Sequence, residues 1–169
     1  MIKMEELKKF DFFKDFEEKE LKEFLEFSLS LKIKKGEILF EENSYGDSIY
    51  IIKKGEGEIF KKGKTGEFKI ADVKEGDIVG EIAWILNEKR SATLKAKTDM
   101  EVLRIDGEVL KKKIKEKSKG ALIFLFELLK IEAKRLFLTS SEIIKILEKY
   151  GSTDEISLLR EKISKTVAF

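Results

Sequence analysis

The side chains best suited to chemistry crowd into residues 79–93, Val-Gly-Glu-Ile-Ala-Trp-Ile-Leu-Asn-Glu-Lys-Arg-Ser-Ala-Thr. Gly80 ends a β-like run, Glu81-Ile82-Ala83 opens one short helical turn, and Arg90-Ser91-Ala92-Thr93 starts the next strand. This order suits a small anion that carries a sugar hydroxyl. Gly80 has no Cβ, so a ligand can approach its backbone closely. The amides of Ile82 and Ala83, at the start of the turn, point at an anion with a favourable dipole. Arg90 offers a phosphate its planar fork of donors. Ionised Glu81 only accepts hydrogen bonds, so it suits a hydroxyl and repels the phosphate itself.

The elements that must position these groups are legible from periodicity. Residues 4–29 carry Leu7, Phe10, Phe13, Leu21, Phe24 and Leu25 at helical spacing, which predicts two short amphipathic helices divided near Asp15. From Leu31 to Ile105 the period falls to two. Eight strand-like runs are expected, at 31–34, 37–42, 48–53, 57–62, 67–73, 77–80, 92–97 and 101–105. Gly-, Asn- or Asp-containing turns separate them, among them Tyr45-Gly46-Asp47 and Glu75-Gly76. Short strands at this spacing describe a mainly β fold with flanking helices, a jelly roll or double-stranded β-helix. Asp106 is a fitting N-cap for a helix over 107–117. A long helix is expected over 121–150, where Leu122, Phe126, Leu129, Ala133, Leu136, Ser140, Ile143, Leu147 and Tyr150 step by fours and threes. Such a seam predicts a homodimer through this helix. The alternative is that the seam packs on its own roll. Gly151 stops the helix, and Ser152-x-x-Glu155 is a capping box for a last helix to about Lys165. The expected organisation is therefore one ligand-binding domain over 1–150 (helices 4–29, roll 31–105, helices 106–150) and a short helix and tail over 151–169.

Composition narrows the chemistry. Lys and Arg number 35 against 33 Asp and Glu, so the net charge of +2 makes no global case for nucleic acid or a membrane. Charged residues reach 40% of the chain, and abundant Lys and Glu match the surface chemistry associated with thermophiles. The sequence has no Cys and no His, which removes disulfides, thiolate metal sites, cysteine nucleophiles and the commonest general base. Glu41, Glu42, Asp47 and Asp77 fall at strand ends and turns with no nucleophile and base beside them, so an enzyme is not expected. No signal peptide is recognisable, and the apolar run Ala121 to Phe126 is broken by Glu127. The expectation is a cytoplasmic, soluble protein. The lysines at 111–113, 115, 117 and 119 read either as a solvated helix face or as a docking surface for an acidic partner.

Residues 79–93 resemble the phosphate-binding cassette of the cyclic-nucleotide-binding domain family, where Gly-Glu-apolar-Ala, a spacer and Arg-x-Ala-Thr surround cyclic AMP or cyclic GMP. The helices before the roll, the Gly-Asp turns at 46–47 and 76–77 and the long helix after it occur in that family's order. The resemblance implies that Gly80, Glu81, Ile82, Ala83, Arg90, Ser91 and Ala92 line the ligand. The form Arg-Ser-Ala-Thr resembles the catabolite-activator branch and leans toward cyclic AMP. Lys134-Arg135-Leu136 followed by Thr139-Ser140 also resembles that branch, where a threonine and a serine reach the adenine, one of them from the neighbouring subunit. This implies base contacts from Arg135, Thr139 and Ser140. DNA-binding members carry a further domain of some sixty residues after the long helix. Here eighteen residues follow Gly151, with three acidic and three basic side chains. No direct DNA binding is expected, and the output passes to an unidentified downstream protein. Two readings stay open: a cyclic-nucleotide sensor, and a similar scaffold that no longer binds nucleotide and acts as an interaction module. Trp84 is expected to pack rather than to stack on a base.

Overall fold

The structure, a computed structural model, describes residues 4–152, 154, 156–158, 161 and 162. The chain divides into two compact units, residues 1–124 and 125–169.

The first unit opens with helix α1 (Met4–Leu7), a 3-10 turn (Asp11–Phe13) and helix α2 (Glu18–Glu26). Eight strands follow: β1 (Ser28–Ile33), β2 (Ile38–Phe40), β3 (Ile49–Lys54), β4 (Gly57–Gly63), β5 (Gly66–Val73), β6 (Ile78–Val79), β7 (Thr93–Ala96) and β8 (Met100–Ile105). Helix α3 (Glu81–Leu86) lies between β6 and β7, and helix α4 (Gly107–Lys115) follows β8. The strands form two four-stranded antiparallel sheets, ordered β1-β8-β3-β6 and β2-β7-β4-β5. This is the expected jelly roll. Strand residues alternate because every second side chain faces the other sheet. Ile52, Val73, Val79, Leu94, Ala96, Met100 and Val102 form that shared interior, with Leu31, Ile33, Phe40, Tyr50 and Ile59 packed against it.

β1 begins three residues earlier than its periodicity suggested. Ser28, Leu29 and Ser30 pair with Ile105, Arg104 and Leu103 of β8, and Ser28 Oγ donates back to the Phe24 carbonyl at 2.8 Å. The helix pattern therefore gives way to β pairing at Ser28. Ahead of it, the helices are locked by an aromatic cluster. Phe12, Phe13, Phe16, Phe24, Phe27 and Phe124 approach with ring centroids 4.9–6.4 Å apart, mostly edge to face. Leu7, Leu21, Leu110 and Ala121 are buried too.

Two helix starts show how local polar groups place the elements. Asp106 Oδ1 accepts from the amides of Glu108 at 3.1 Å and Val109 at 3.0 Å, the expected cap of α4. Helix α5 (Lys119–Tyr150) starts two residues before the expected position 121, because Ser118 caps it: its hydroxyl accepts from Ala121 N at 3.3 Å. Gly107, the first residue of α4, has no room for a side chain. A Cβ there would fall on the Asp47 carbonyl and the Trp84 ring. Most of the lysine run is engaged by acids: Lys111 with Glu108, Lys112 with Glu116, Lys113 with Glu23, and Lys119 with Glu17 and Glu20. Those pairings favour the solvated-face reading over an acidic partner.

In the second unit, residues 125–150 continue α5. Its seam positions Phe126, Leu129, Leu136 and Ile143 are exposed, Leu136 by 70%. Phe137, Leu138, Ile144 and Ile146 are exposed beside them. Gly151 N donates to the Leu147 carbonyl at 2.8 Å where the helix stops. The capping box rests on Glu155, which lies outside the described residues, as does much of the expected last helix to Lys165. Among the described residues no helix is long and apolar enough to cross a membrane.

Lys119 ties the start of α5 to the N-terminal helices. Buried Glu20 meets Lys119 at 2.5 Å and accepts from Glu17 N at 2.7 Å. The Lys119 hydrogen bond holds the Glu20 carboxyl below its ordinary value of 4.5, against the opposing effect of burial. A depressed folded pKa adds stability that is complete above the unfolded value and fades as pH falls through the folded one. Glu20→Gln keeps an acceptor at the helix start and removes the charge. It should cost about 1 kcal/mol at neutral pH. Thermal unfolding should show this gap closing in acid, and a gap that persists there would contradict the assignment.

Candidate functional site

Arg90 is the centre of the candidate site. A guanidinium cannot shed its charge, so burying it requires acceptors on several sides. Only 3% of Arg90 is exposed. Its Nη1 donates to the Gly80 carbonyl and its Nη2 to the Ser48 carbonyl, each at 2.7 Å. The flat face of the guanidinium lies 4.7 Å from the Phe40 ring centroid and 5.8 Å from that of Tyr50. Those two rings stack on each other at 5.9 Å. The backbone of Arg90 is pinned as well: its amide donates to Ser44 O at 2.9 Å, and its carbonyl accepts from Asn43 N at 2.8 Å. Burial pulls the Arg90 pKa down, while Tyr50, Asp47 and Glu81 pull it up.

Each part of this arrangement has a local cause. Gly80 caps α3 at φ +83°, a left-handed conformation that costs a residue with a Cβ about 1–2 kcal/mol. That conformation turns the chain from β6 into α3 and aims the Gly80 carbonyl at Arg90. Asn87 closes α3, also left-handed at φ +54°. Glu81, the first residue of α3, is 3% exposed and lies within electrostatic reach of Arg90. Ala83 is buried, whereas the Ile82 side chain points to solvent and leaves only its backbone for the site. Ala92 and Thr93 are buried, and Thr93 Oγ1 accepts from Glu42 N at 3.0 Å. Ser91 is exposed in the bend before β7. Trp84 packs as expected: it is buried, and its indole donates to the Gly107 carbonyl at 2.9 Å.

Of the cassette residues, Gly80 and Arg90 are therefore in direct contact, with Glu81 within electrostatic reach of Arg90. Arg135, Thr139 and Ser140 belong to the second unit. Arg135 pairs with Glu132 at 2.8 Å, Ser140 donates to the Leu136 carbonyl at 2.8 Å, and Thr139 is exposed. Arg135 and Thr139, four residues apart, share one face of α5.

Phe40, Gly46, Ser48 and Tyr50 hold Arg90 and were missing from the sequence-derived set. A Cβ at Gly46 would sit 3.0 Å from Nη2, so that turn also leaves space for the guanidinium. The Gly46-Asp47-Ser48 turn before a strand was the available signal. Nothing in its spacing tied it to a residue forty-two positions later. Among the described residues no cluster of three or more carboxylates is placed to hold a metal ion. What the site offers is one fixed cation, a carboxylate and the start of a short helix.

Residues 30–117, just over half of the chain, match the family model described as cyclic nucleotide-binding domain. A cAMP-dependent protein kinase regulatory subunit from Aspergillus fumigatus is 35% identical over 83 residues, 49% of this chain and 20% of that protein. The chain spans about a fifth of the length of the curated relatives it matches. A crystal structure of a cyclic nucleotide-binding domain from Methylobacillus flagellatus superposes with a TM-score of 0.74 at 24% identity, covering 84% of this chain and 80% of that one. The regulatory domain of Toxoplasma gondii protein kinase A, crystallised with cAMP, gives 0.59 at 23% identity over 68% of this chain and 44% of that one. The two structural likenesses concern the fold.

The glycine at the turn is open to direct test. An alanine at position 80 would carry the left-handed penalty and set its Cβ 2.6 Å from Arg90 Nη1. Gly80→Ala should destabilise the fold by about 2–3 kcal/mol. Denaturant unfolding reads this directly, and an unchanged midpoint would contradict the geometry.

Proposed function

The chain belongs to the cyclic nucleotide-binding domain family, and from that premise we propose that it is a sensor that binds a cyclic nucleotide, cyclic AMP in preference to cyclic GMP. The observation that carries this reading is the buried, immobilised Arg90 beside Gly80 and Glu81. Two of its five N–H groups are spent on carbonyls, which leaves donors for a phosphate. Held on four sides, the cation needs little reorganisation when an anion arrives. The phosphate sits on Arg90 and the amides of Ile82 and Ala83, and the ribose hydroxyl on Glu81. Ser91 and Ala92 complete the cassette. Arg135, Thr139 and Ser140 supply base contacts, Ser140 across a homodimer formed by α5. The exposed seam at Leu129, Leu136 and Ile143 supports that dimer.

Ligand binding repositions α5, and the changed helix or dimer is read by a downstream protein. The role is regulation by binding, with the domain over 1–150 doing the sensing. A second reading has one observation in its favour. The carbonyls of Gly80 and Ser48 hold Arg90 in place, a structural role that an interaction module would also give it.

Calorimetry with cyclic AMP, cyclic GMP and linear AMP separates the two readings. Charge-assisted hydrogen bonds contribute roughly 1.5–3 kcal/mol each. Arg90→Lys, which keeps the charge but not the fork, should therefore weaken cyclic AMP binding by about ten- to a hundredfold. Retention of full affinity would sink the phosphate assignment. A wild-type chain silent to every nucleotide would favour the interaction module.

A further inference from the structure

Ser48 is held by two arginines at once. Its carbonyl accepts from Arg90 Nη2 at 2.7 Å, and its hydroxyl accepts from Arg104 Nε at 2.8 Å. Ser48 is buried, so neither bond can be exchanged cheaply for water. Arg104 lies on β8, where Tyr50 of β3 and Leu29 of β1 flank it in register. It is thus built into the centre of one sheet, while Arg90 enters from the end of the cassette. Tyr50 is common to both: it pairs with Arg104 along the sheet and faces the Arg90 guanidinium with its ring.

From this geometry we propose that Arg104 is a positioning residue for the ligand-binding arginine, acting through the Ser48 hydroxyl. The proposal rests on the reading of Arg90 as the phosphate-binding cation. Arg104 fixes the rotation of Ser48, and Ser48 fixes the carbonyl that aims Arg90 Nη2. A peptide carbonyl free to tilt would let the guanidinium turn on its aromatic floor, and the remaining N–H groups would lose their aim. The directional Nε–H is what matters here. A lysine at position 104 would supply charge without that planar donor.

The test uses the full chain with Arg104→Met, Arg104→Lys, Ser48→Ala and the Arg104→Met/Ser48→Ala double variant. Calorimetry with cyclic AMP should show each single variant weaker by on the order of tenfold. The double variant should be no weaker than either single, because both act along one path. Nitrogen-15 spectra of the ligand-free chain supply an independent signature: the Arg90 Nε–H resonance should shift or broaden in every variant. Additive losses in the double variant would overturn the proposal. So would full rescue by Arg104→Lys, or an Arg90 resonance that stays at its wild-type position. If the wild type binds no cyclic nucleotide, the phosphate reading fails by itself, and the resonance alone decides whether Arg104 orders Arg90.

Discussion

A buried guanidinium sets the terms for much of this domain. Arg90 cannot be neutralised, and removing it from water carries a penalty that only well-placed acceptors and ring faces can offset. The fold meets that demand from widely separated segments. Phe40 ends β2, Ser48 precedes β3, Tyr50 lies within β3, and Gly80 follows β6. β2 shares a sheet with β7, beside Arg90, whereas Ser48, Tyr50 and Gly80 come from the end of the other sheet and meet Arg90 only where the two sheets close on each other. The roll and the cation are mutually dependent: the sheets bring the acceptors together, and the cation crosslinks three segments near their ends.

That dependence explains what could be read from the residues in order and what could not. The strands were legible because short apolar and β-branched runs, such as Ile49 to Ile52 and Val102 to Ile105, stand between turn residues in short stretches of chain. Asp106 was legible because capping is a matter of three successive residues. Gly80, Glu81 and Arg90 were legible through spacing within one cassette. Phe40, Ser48 and Tyr50 were not, since their roles arise from distance in space at large separation in sequence. Ser118 escaped for a different reason: the apolar seam of α5 begins inside the helix, and periodicity reports the face rather than the cap. The start of β1 was missed because Ser28-Leu29-Ser30 follows directly on a helix, and only pairing with β8 decides its conformation.

Charge elsewhere works differently. The many lysines and glutamates of the surface pair over short spans, as Lys69 does with Glu58 and Asp72, or Lys97 with Glu56. Such pairs stay in water, where each adds little, and salt screens them. Glu20 with Lys119 stands between the extremes, one partner buried and the other exposed. Chains this rich in charge can therefore look electrostatically featureless in total while one enclosed cation dominates the local field.

Gly107 and Trp84 give the site a mechanical character. The first turn of α4 is pressed against Asp47 and the indole, and that indole is tied to the Gly107 carbonyl. Trp84 belongs to α3, so the two helices share a joint with no slack. A displacement of α3 that carries Trp84 with it must either break a buried hydrogen bond or drag the base of α4 along. The cassette helix and the base of α4 are thereby fastened to each other at the end of the roll, through the indole and Gly107.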